Sequence, residues 1–209
     1  MAAKPYDLIK RIGDASVALV ALVLSSPLQL IVAVIVAAKL GRPVLFKQPR
    51  PGRGGNIFTL YKFRTMRTAA PEEGVGSDAD RLTGFGRALR ATSLDELPTL
   101  FNVLLGDMSI VGPRPLLVSY LPRYSPEQTR RHEVRPGVTG LAQVSGRNTL
   151  NWADRFALDV YYVDHRSLKL DIAILGKTIS TVVRREGISA EGAATMHEFF
   201  GNESSREDQ

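Results

Sequence analysis

The chain has 209 residues, which is enough for a domain with a sizeable hydrophobic core. Its 27 lysines and arginines outnumber 21 aspartates and glutamates, giving a net charge of +6 and a pI near 9.8, so phosphorylated substrates, anionic membrane surfaces and nucleic acids are all suitable partners. The absence of cysteine excludes disulfides, cysteine metal sites and thiol catalysis.

The first element is an apolar segment at residues 15–38, whose 24 residues carry no charge and are long enough to cross a bilayer. A cleaved signal peptide fits poorly, because its apolar core is about 7–15 residues long and here the apolar run continues to Ala38. The segment could also be a straight membrane span or the buried core helix of a soluble protein. Its length and uniform apolarity make the buried helix the weakest of these interpretations.

Two features favour a re-entrant segment over a straight span. Ser26 and Pro27 interrupt the middle of the run, where proline removes a backbone donor and clashes with the preceding turn. Basic residues flank both ends of the run: Lys10, Arg11, Lys39, Arg42, Lys47, Arg50 and Arg53. Because basic flanks stay in the cytoplasm, we expect residues 1–40 to enter one leaflet, bend at Ser26-Pro27 and return.

A connector rich in glycine, proline and arginine at 41–56 leads into an alternating sequence, Ile57 to Met66, that predicts a β-strand. Lys62 and Arg64 share one face of this strand and can offer two cations to one polyanion. A solvated edge strand protected by the same charges is an equally good interpretation. Residues 67–80 are polar and contain glycines, and they predict a mobile loop that is either a lid or surface slack.

Two adjacent carboxylates, Asp95 and Glu96, follow a helix that is predicted to begin at Arg81 and carries Arg90. Ser93 and Glu96 fit the capping-box pattern, in which Asp95 would complement the helix dipole. The second interpretation is a metal-assisted phosphoryl site, where carboxylates hold a divalent ion or attack phosphorus and arginines bind phosphate oxygens. The two interpretations are compatible, because a helix N-terminus also favours anions.

A helix at 97–105 and a short strand lead to the turn Gly112-Pro113-Arg114-Pro115. Its two prolines fix the backbone and restrict Arg114 to a narrow range of directions. Such restriction lowers the entropic cost of binding a phosphate. The alternative is a rigid turn with an exposed arginine.

The C-terminal half predicts helices at 151–165 and 170–185, and the second of these is amphipathic. Its apolar stripe packs either in the core or at a membrane interface. His132 stands among arginines, which is typical of a surface residue. The predicted fold class is α+β and mainly helical, with one domain at 41–200 and a disordered tail at 201–209.

Five motifs occur together in one order along the chain. They are the apolar segment with Ser26-Pro27, QPRPG at 48–52, YKFRTM at 61–66, RLTGFGRALRATSLDELPTLFNVLLGDMSIVGPRP at 81–115 and RPGVTGLAQVSGRN at 135–148. The set resembles the bacterial sugar transferases, specifically the small monotopic phosphoglycosyl transferases, over nearly the whole chain. Each motif alone is unspecific, whereas their joint occurrence is highly specific.

The resemblance implies an enzyme at the cytoplasmic face of the bacterial inner membrane. Such an enzyme moves a sugar 1-phosphate from a UDP-sugar to polyprenyl (undecaprenyl) phosphate and releases UMP. The resemblance also implies two chemical steps, with a covalent phosphosugar on an aspartate, and a requirement for Mg²⁺. The architecture that it implies is an N-terminal re-entrant membrane helix, a small cytosolic catalytic domain and interfacial amphipathic helices.

Carried over by motif, the resemblance makes Asp95 the nucleophile and Glu96 its catalytic partner, with Mg²⁺ held at this pair. It makes Ser26 and Pro27 the bend of the membrane helix. The residues expected to meet the phosphates or the carboxylates, or to place the nucleotide, are Lys62, Arg90, Arg114, Pro113 and Pro115.

The C-terminal stretch at 188–201 resembles the subgroup that uses UDP-N,N′-diacetylbacillosamine or a related acetamido sugar. Three competing functions remain. A UDP-sugar hydrolase would release sugar phosphate without a lipid acceptor. A membrane-tethered nucleic-acid-binding protein would need a continuous arginine stripe and would leave the acidic pair without a role, so we expect no nucleic acid partner. A membrane scaffold would explain the apolar segment but not the acidic pair with its cations.

Overall fold

The computed structural model describes residues 5–67, 81–146, 150–184 and 198–201, without the side chains of 182–184. The expected loop at 67–80 and the expected tail at 201–209 lie outside these ranges except for Arg67 and Gly201. The helices are α1 (Pro5–Leu40), α2 (Gly84–Ala91), α3 (Thr99–Leu105), α4 (Pro126–Thr129), α5 (Leu141–Ser145), α6 (Trp152–His165) and α7 (Leu168–Arg184). The strands are β1 (Leu45–Pro51), β2 (Ile57–Phe63), β3 (Ser109–Val111) and β4 (Gly137–Thr139). This mainly helical fold with few strands confirms the predicted class.

Helix α1 is continuous through the Ser26-Pro27 interruption. Pro27 has no N–H to donate to the carbonyl oxygen of Val23, four residues earlier. The Ser26 hydroxyl donates to that oxygen instead, at 2.8 Å, and the Ser25 hydroxyl donates to the carbonyl oxygen of Ala21 at 2.5 Å. The carbonyl that proline leaves open is therefore satisfied within the helix, as a lipid-exposed backbone requires.

Within the described residues, α1 is the helix long and apolar enough to cross a membrane. An 18-residue window of it has a mean hydropathy of 2.5, and 11% of that window is buried by the rest of the protein. Leu24 at the centre of the helix is 76% exposed. The core helix of a soluble domain would be covered on most sides, so this exposure indicates association with a membrane.

Both ends of α1 are attached to the same folded domain. At the N-terminal end, Lys10 Nζ lies 2.5 Å from Asp171 Oδ2 of α7. At the C-terminal end, the guanidinium of Arg64 donates to the carbonyl oxygen of Gly41 at 2.7 Å, and Val36 is buried in a cluster with Phe63. Between these two attachments, residues 19–31 at the middle of the helix include no buried residue.

The β1–β2 hairpin is held on one edge by side chains of α3. The strands pair antiparallel from Leu45↔Phe63 to Pro51↔Ile57. On the other edge of β2, the fully buried Asn102 accepts from Tyr61 N at 3.1 Å and donates to the Thr59 carbonyl at 2.7 Å. These bonds satisfy the backbone groups of an otherwise unpaired strand edge.

A parallel pair, β3 and β4, and the C-terminal helices complete the domain. The ring of Phe199 is buried among aromatic side chains of this region, with its centroid 5.0 Å from that of Phe156 and 5.7 Å from that of Tyr120. The segment 198–201 is thereby fixed against α6. The predicted helices at 151–165 and 170–185 are confirmed as α6 and α7.

Two local expectations are wrong. The strand predicted to reach Met66 ends at Phe63. His132 is buried rather than on the surface: its Nδ1 lies 3.2 Å from the Gly52 carbonyl oxygen, and its ring packs against Tyr124. Burial, with the charge of neighbouring Arg131, lowers the pKa of His132 to about 4, so the ring is neutral at physiological pH.

Replacing Gly86 by alanine should destabilise the protein, because a Cβ there would lie 1.9 Å from the Thr65 carbonyl oxygen. Overpacking of this kind costs about 1–3 kcal/mol. The matched control is Gly176→Ala in α7, where a Cβ meets nothing within 4 Å and should stabilise by up to about 1 kcal/mol. Urea unfolding of the detergent-solubilised variants measures both. Equal effects of the two substitutions would contradict the close approach of α2 to Thr65.

Candidate active site

An open cleft lies between the hairpin, the acidic pair and the segment that follows β3. Its lining contains three cations and one carboxylate together with apolar side chains. The charged lining residues are Arg50, Lys62, Arg114 and Glu96. Because β1, β2, the turn at Leu94–Glu96 and the 112–115 segment supply these groups, residues far apart in the sequence meet at one site.

Glu96 is the anchor of the cations. Lys62 Nζ lies 2.5 Å and Arg114 Nη2 lies 3.5 Å from the same oxygen, Glu96 Oε1, and the Glu96 side chain is 23% exposed. Burial alone would raise the pKa of Glu96, but the charges of Lys62 and then Arg114 outweigh it and lower this pKa to about 2. Glu96 is therefore ionised and largely neutralised by its partners across the physiological range.

The capping box predicted from Ser93 and Glu96 is absent. Ser93 adopts a left-handed backbone with φ of 55° and makes no side-chain capping bond, and the Glu96 side chain turns to Lys62 instead. A charge-assisted bond in a half-buried site is stronger than the bond to a backbone N–H that a cap offers. The local pattern predicted the start of a helix at Ser93, where the chain instead forms a short 3₁₀ turn at Leu94–Glu96, and it gave Glu96 the wrong partner.

Asp95 has different surroundings from its neighbour. It is 8% exposed, it is not part of the cleft lining, and none of the hydrogen bonds in the described ranges ends on its carboxylate. Burial, followed by the adjacent charge of Glu96, raises the pKa of Asp95, against the opposing charges of Lys62, Arg90 and Arg114. The pair thus contains one carboxylate held by cations and one held by no hydrogen bond, which is a suitable difference for a nucleophile and its partner.

Arg90 is placed beside the acidic pair by α2. Thr83 caps this helix, since its hydroxyl accepts from Gly86 N at 3.0 Å, and Arg90 Nε donates to the Thr65 hydroxyl at 3.1 Å. Arg64, which the alternating pattern placed with Lys62, is not at the site. Its guanidinium binds the carbonyl groups at the end of α1, because the strand ends one residue before it.

The Gly112–Pro115 segment is packed directly on β4. Gly137 N donates to the Pro113 carbonyl at 2.9 Å, and a Cβ on Gly137 would lie 2.1 Å from Gly112 N, so only glycine permits this approach. Pro113 and Pro115 are both buried. The RPGVTG motif therefore supports the GPRP turn, a contact that the sequence alone did not predict.

Sequence reasoning also missed the role of Arg131. Its Nη2 donates to the Arg114 carbonyl at 2.6 Å and pairs with Asp159 Oδ2 of α6 at 2.8 Å, and the side chains of Arg131 and Asp159 are almost fully buried. The hydrogen bond from Arg131 to the Arg114 carbonyl oxygen fixes the backbone position of Arg114. The one signal in the sequence is a run of basic residues at 130–135, which favoured a solvated surface.

The donor set at the acidic pair fits a magnesium ion. In the parts of the chain that are described, no group of three or more acidic or histidine side chains is close enough to form a metal cage. Mg²⁺ does not need one, because it commonly binds through one or two carboxylates together with substrate phosphates and water. Asp95 and Glu96 are the two carboxylates that such an ion would bind.

Comparisons with known proteins decide the family. Residues 5–185 match the family model described as bacterial sugar transferase. This chain belongs to the bacterial sugar transferase family. It is 48% identical over 196 residues to the uncharacterized sugar transferase EpsL of Bacillus subtilis (strain 168), a match that covers 93% of this chain and 97% of that protein.

Two further relatives of the family carry names that state a reaction. The undecaprenyl-phosphate galactose phosphotransferase of Salmonella typhimurium is 39% identical over 205 residues, covering 90% of this chain but 43% of that protein. The UDP-glucose:undecaprenyl-phosphate glucose-1-phosphate transferase of Caulobacter vibrioides is 41% identical over 188 residues, covering 85% of this chain and 70% of that protein. The chain therefore spans less than half the length of some relatives and nearly the full length of others.

Replacing Glu96 by glutamine should lower the pKa of Asp95, because the change removes a neighbouring negative charge and frees Lys62 and Arg114 to act on Asp95. Replacing Lys62 by methionine should raise the same pKa. Carbon-13 NMR of labelled aspartate carboxylates, without divalent ions, measures both. Lys47→Gln, an exposed cation of β1, is the control that should leave the pKa unchanged. If the pKa of Asp95 moved in the same direction in Glu96→Gln and Lys62→Met, the opposing effects of Glu96 and Lys62 on Asp95 would be contradicted.

Proposed function

We propose that this chain transfers a sugar 1-phosphate from a UDP-sugar to undecaprenyl phosphate, or another polyprenyl phosphate, and releases UMP. The observation that carries the proposal is the acidic pair, in which Glu96 is bound by Lys62 and Arg114 while the Asp95 carboxylate accepts no hydrogen bond within the described ranges. Membership of the sugar transferase family supports the reaction class, as do the names of the Salmonella and Caulobacter relatives.

In the first step, an oxygen of Asp95 attacks the β-phosphorus of the donor. A bond forms between that oxygen and phosphorus, the bond from phosphorus to the bridging oxygen breaks, and its electron pair leaves with UMP. A carboxylate is a weak nucleophile, so cations must neutralise the diphosphate for this step to proceed. Arg114 and Lys62 lie within reach of this task, because both already surround Glu96.

In the second step, an oxygen of the lipid phosphate attacks the phosphorus of the aspartyl phosphosugar and the Asp95 carboxylate departs. The product is a polyprenyl diphosphate sugar. Two successive displacements let a water-soluble donor and a lipid acceptor use one site in turn. Asp95 must reach the cleft for this chemistry, and catalytic contacts that are loose in a free enzyme commonly tighten when substrate binds.

Magnesium belongs to the same proposal. Asp95 and Glu96 would hold the ion, which would supply neutralisation of the negative charge on the diphosphate. Lys62 would keep Glu96 ionised and oriented, as it does through the 2.5 Å contact. The ion is thus expected to assist binding and departure of UMP without replacing the residues that surround it.

The competing functions explain the site less well. A UDP-sugar hydrolase needs an activated water, and His132, one candidate base near the basic run, is buried and bonded to the Gly52 carbonyl. A nucleic-acid-binding surface needs free cations, whereas Lys62, Arg64 and Arg131 are engaged with groups of the protein itself. A scaffold gives no reason to assemble charges around Glu96.

We further propose that α1 is re-entrant and places the cleft at the cytoplasmic face of the bacterial inner membrane. Its two ends contact one domain through Lys10 and Arg64, so a straight span would have to separate contacts that the fold makes together. Leu168, Ile172 and Ile179 are exposed apolar residues of α7, the helix that Lys10 of α1 contacts through Asp171. Their exposure supports contact of α7 with the membrane interface.

The donor that we propose is a UDP-acetamido sugar such as UDP-N,N′-diacetylbacillosamine. Its support is the C-terminal sequence at 188–201, of which residues 188–197 lie outside the described ranges. Among the relatives, the Aeromonas hydrophila protein that is 41% identical over 187 residues is named for N-acetylgalactosamine phosphate transfer. The names of other relatives specify galactose or glucose, so the test uses a panel of donors.

Incubation with magnesium and a suitable UDP-sugar, without lipid, should increase the intact-protein mass by one sugar phosphate. Asp95→Asn should abolish the adduct and reduce acceptor-dependent UMP release by at least about 10³-fold, since the nucleophile is lost. The control is Asp154→Asn, an exposed aspartate of α6, which should form the adduct normally. The measurements are intact-protein mass spectrometry and UMP quantification.

Two results would contradict parts of this proposal. UMP release on adding lipid phosphate, with no adduct for any donor, would indicate direct transfer and leave Asp95 as a metal ligand. Release of sugar phosphate without lipid would indicate a hydrolase. Loss of folding does not explain a negative result for Asp95→Asn, because burial makes the ionised aspartate unfavourable and the variant should unfold at an equal or higher temperature.

Because the natural chain has no cysteine, single introduced cysteines report the topology of α1. Ala2→Cys and Lys47→Cys should both react with a membrane-impermeant maleimide in inverted vesicles and should be protected in spheroplasts. Leu24→Cys, in the middle of the helix, is the control expected to lie within the lipid and should be protected in both. Labelling of Ala2→Cys from the periplasmic side would show a straight span, since a straight helix of 36 residues is about 54 Å long.

A further inference from the structure

We propose that Arg50 of β1 binds the phosphate of the departing UMP and neutralises the charge that this phosphate gains when the donor is cleaved. The inference rests on the proposed function, which supplies the leaving group. It adds a residue to the site for which the motifs assigned no role. Its support comes from the register of the hairpin, from the charges in the cleft and from the direction of the displacement.

The hairpin places Arg50 on the same face as Lys62. Residues that pair across antiparallel strands point to one face, and the register pairs Arg50 with Phe58 and Lys62 with Phe46. Phe58 and Lys62 are four residues apart on β2, so they also share a face and are separated by about 13 Å along the strand. The two cations therefore stand at opposite ends of one sheet face, and both line the cleft.

Arg50 differs from the other cations of the cleft in having no carboxylate partner. Lys62 and Arg114 both contact Glu96, whereas none of the ion pairs in the described ranges includes Arg50. Arg50 donates to two neutral groups, the side-chain oxygen of Gln48 at 2.6 Å and the Pro115 carbonyl at 3.3 Å. Its Nε is buried and has no hydrogen-bond partner.

The cleft consequently carries an excess of positive charge, with three cations against one carboxylate. Burial, followed by the like charge of Arg114, lowers the pKa of Arg50 to about 10, which still leaves the guanidinium charged at neutral pH. A partly buried cation beside another cation is unfavourable unless an anion joins them. A phosphate group meets this need, because a guanidinium binds its oxygens with two parallel hydrogen bonds.

The direction of the reaction selects which phosphate Arg50 binds. In an in-line displacement the leaving oxygen lies opposite the attacking one, and the negative charge of UMP increases as the bond to the β-phosphorus breaks. The acidic pair is at the Lys62 end of the sheet face. Arg50 is at the other end, where the α-phosphate and its new charge would lie.

The test compares binding of UMP and uridine to the purified full-length chain by calorimetry, which requires no turnover. Arg50→Gln should weaken UMP binding by about tenfold or more, the loss of one charge-assisted contact, and leave uridine binding unchanged. Arg50→Lys should have a smaller effect, because lysine keeps the positive charge but cannot make the two parallel hydrogen bonds of a guanidinium. Lys47→Gln, which removes an exposed cation from the opposite face of β1, should change neither affinity.

Either of two results would overturn the inference. Unchanged UMP affinity in Arg50→Gln would show that the phosphate binds elsewhere. An equal loss for UMP and uridine would show that Arg50 only supports the Pro115 segment. If Arg50→Gln does not fold, the ratio of UMP to uridine affinity in Arg50→Lys gives the same decision. A chain that binds UMP through Arg50 but releases no UMP from any UDP-sugar would contradict the proposed function alone.

Discussion

The buried amide of Asn102 is the contact on which the site depends. The Asn102 amide accepts a hydrogen bond from Tyr61 N and donates one to the Thr59 carbonyl on the edge of β2 that faces away from β1. These directional bonds fix the position of α3 relative to the hairpin. Because α3 begins three residues after Glu96, the same bonds set the distance from the acidic pair to Lys62. A buried amide of this kind is costly unless every bond is made, which strongly restricts alternative arrangements.

The fold makes two adjacent carboxylates chemically unlike. Asp95 and Glu96 are neighbours in sequence, yet burial and Glu96 raise the pKa of one, while Lys62 and Arg114 lower the pKa of the other. A tight turn with three residues per turn directs consecutive side chains to different sides. The difference arises from placement of cations by three separate segments, and not from the two residues themselves.

The sequence predicted the mainly helical class, the long apolar N-terminal helix and the two C-terminal helices, because each depends on local periodicity. It also selected Lys62, Arg90 and Arg114, which the structure gathers near the acidic pair. The partners of Glu96 could not be chosen locally, since a capping box and an ion pair begin from the same residues. The support of Arg114 by buried Arg131 depends on a contact with α6, which no short pattern contains.

Helix α1 is attached to the folded domain near both of its ends, which restricts how the domain can move relative to the helix. A domain attached at one point could rotate about that point. The contacts at Lys10 and at Gly41 attach the domain to α1 at two points and restrict this rotation. With α1 in the bilayer as proposed, the height of the cleft above the lipid surface is set by the protein and cannot adapt to its substrates. A lipid acceptor, in the function proposed above, would then have to present its phosphate at that height.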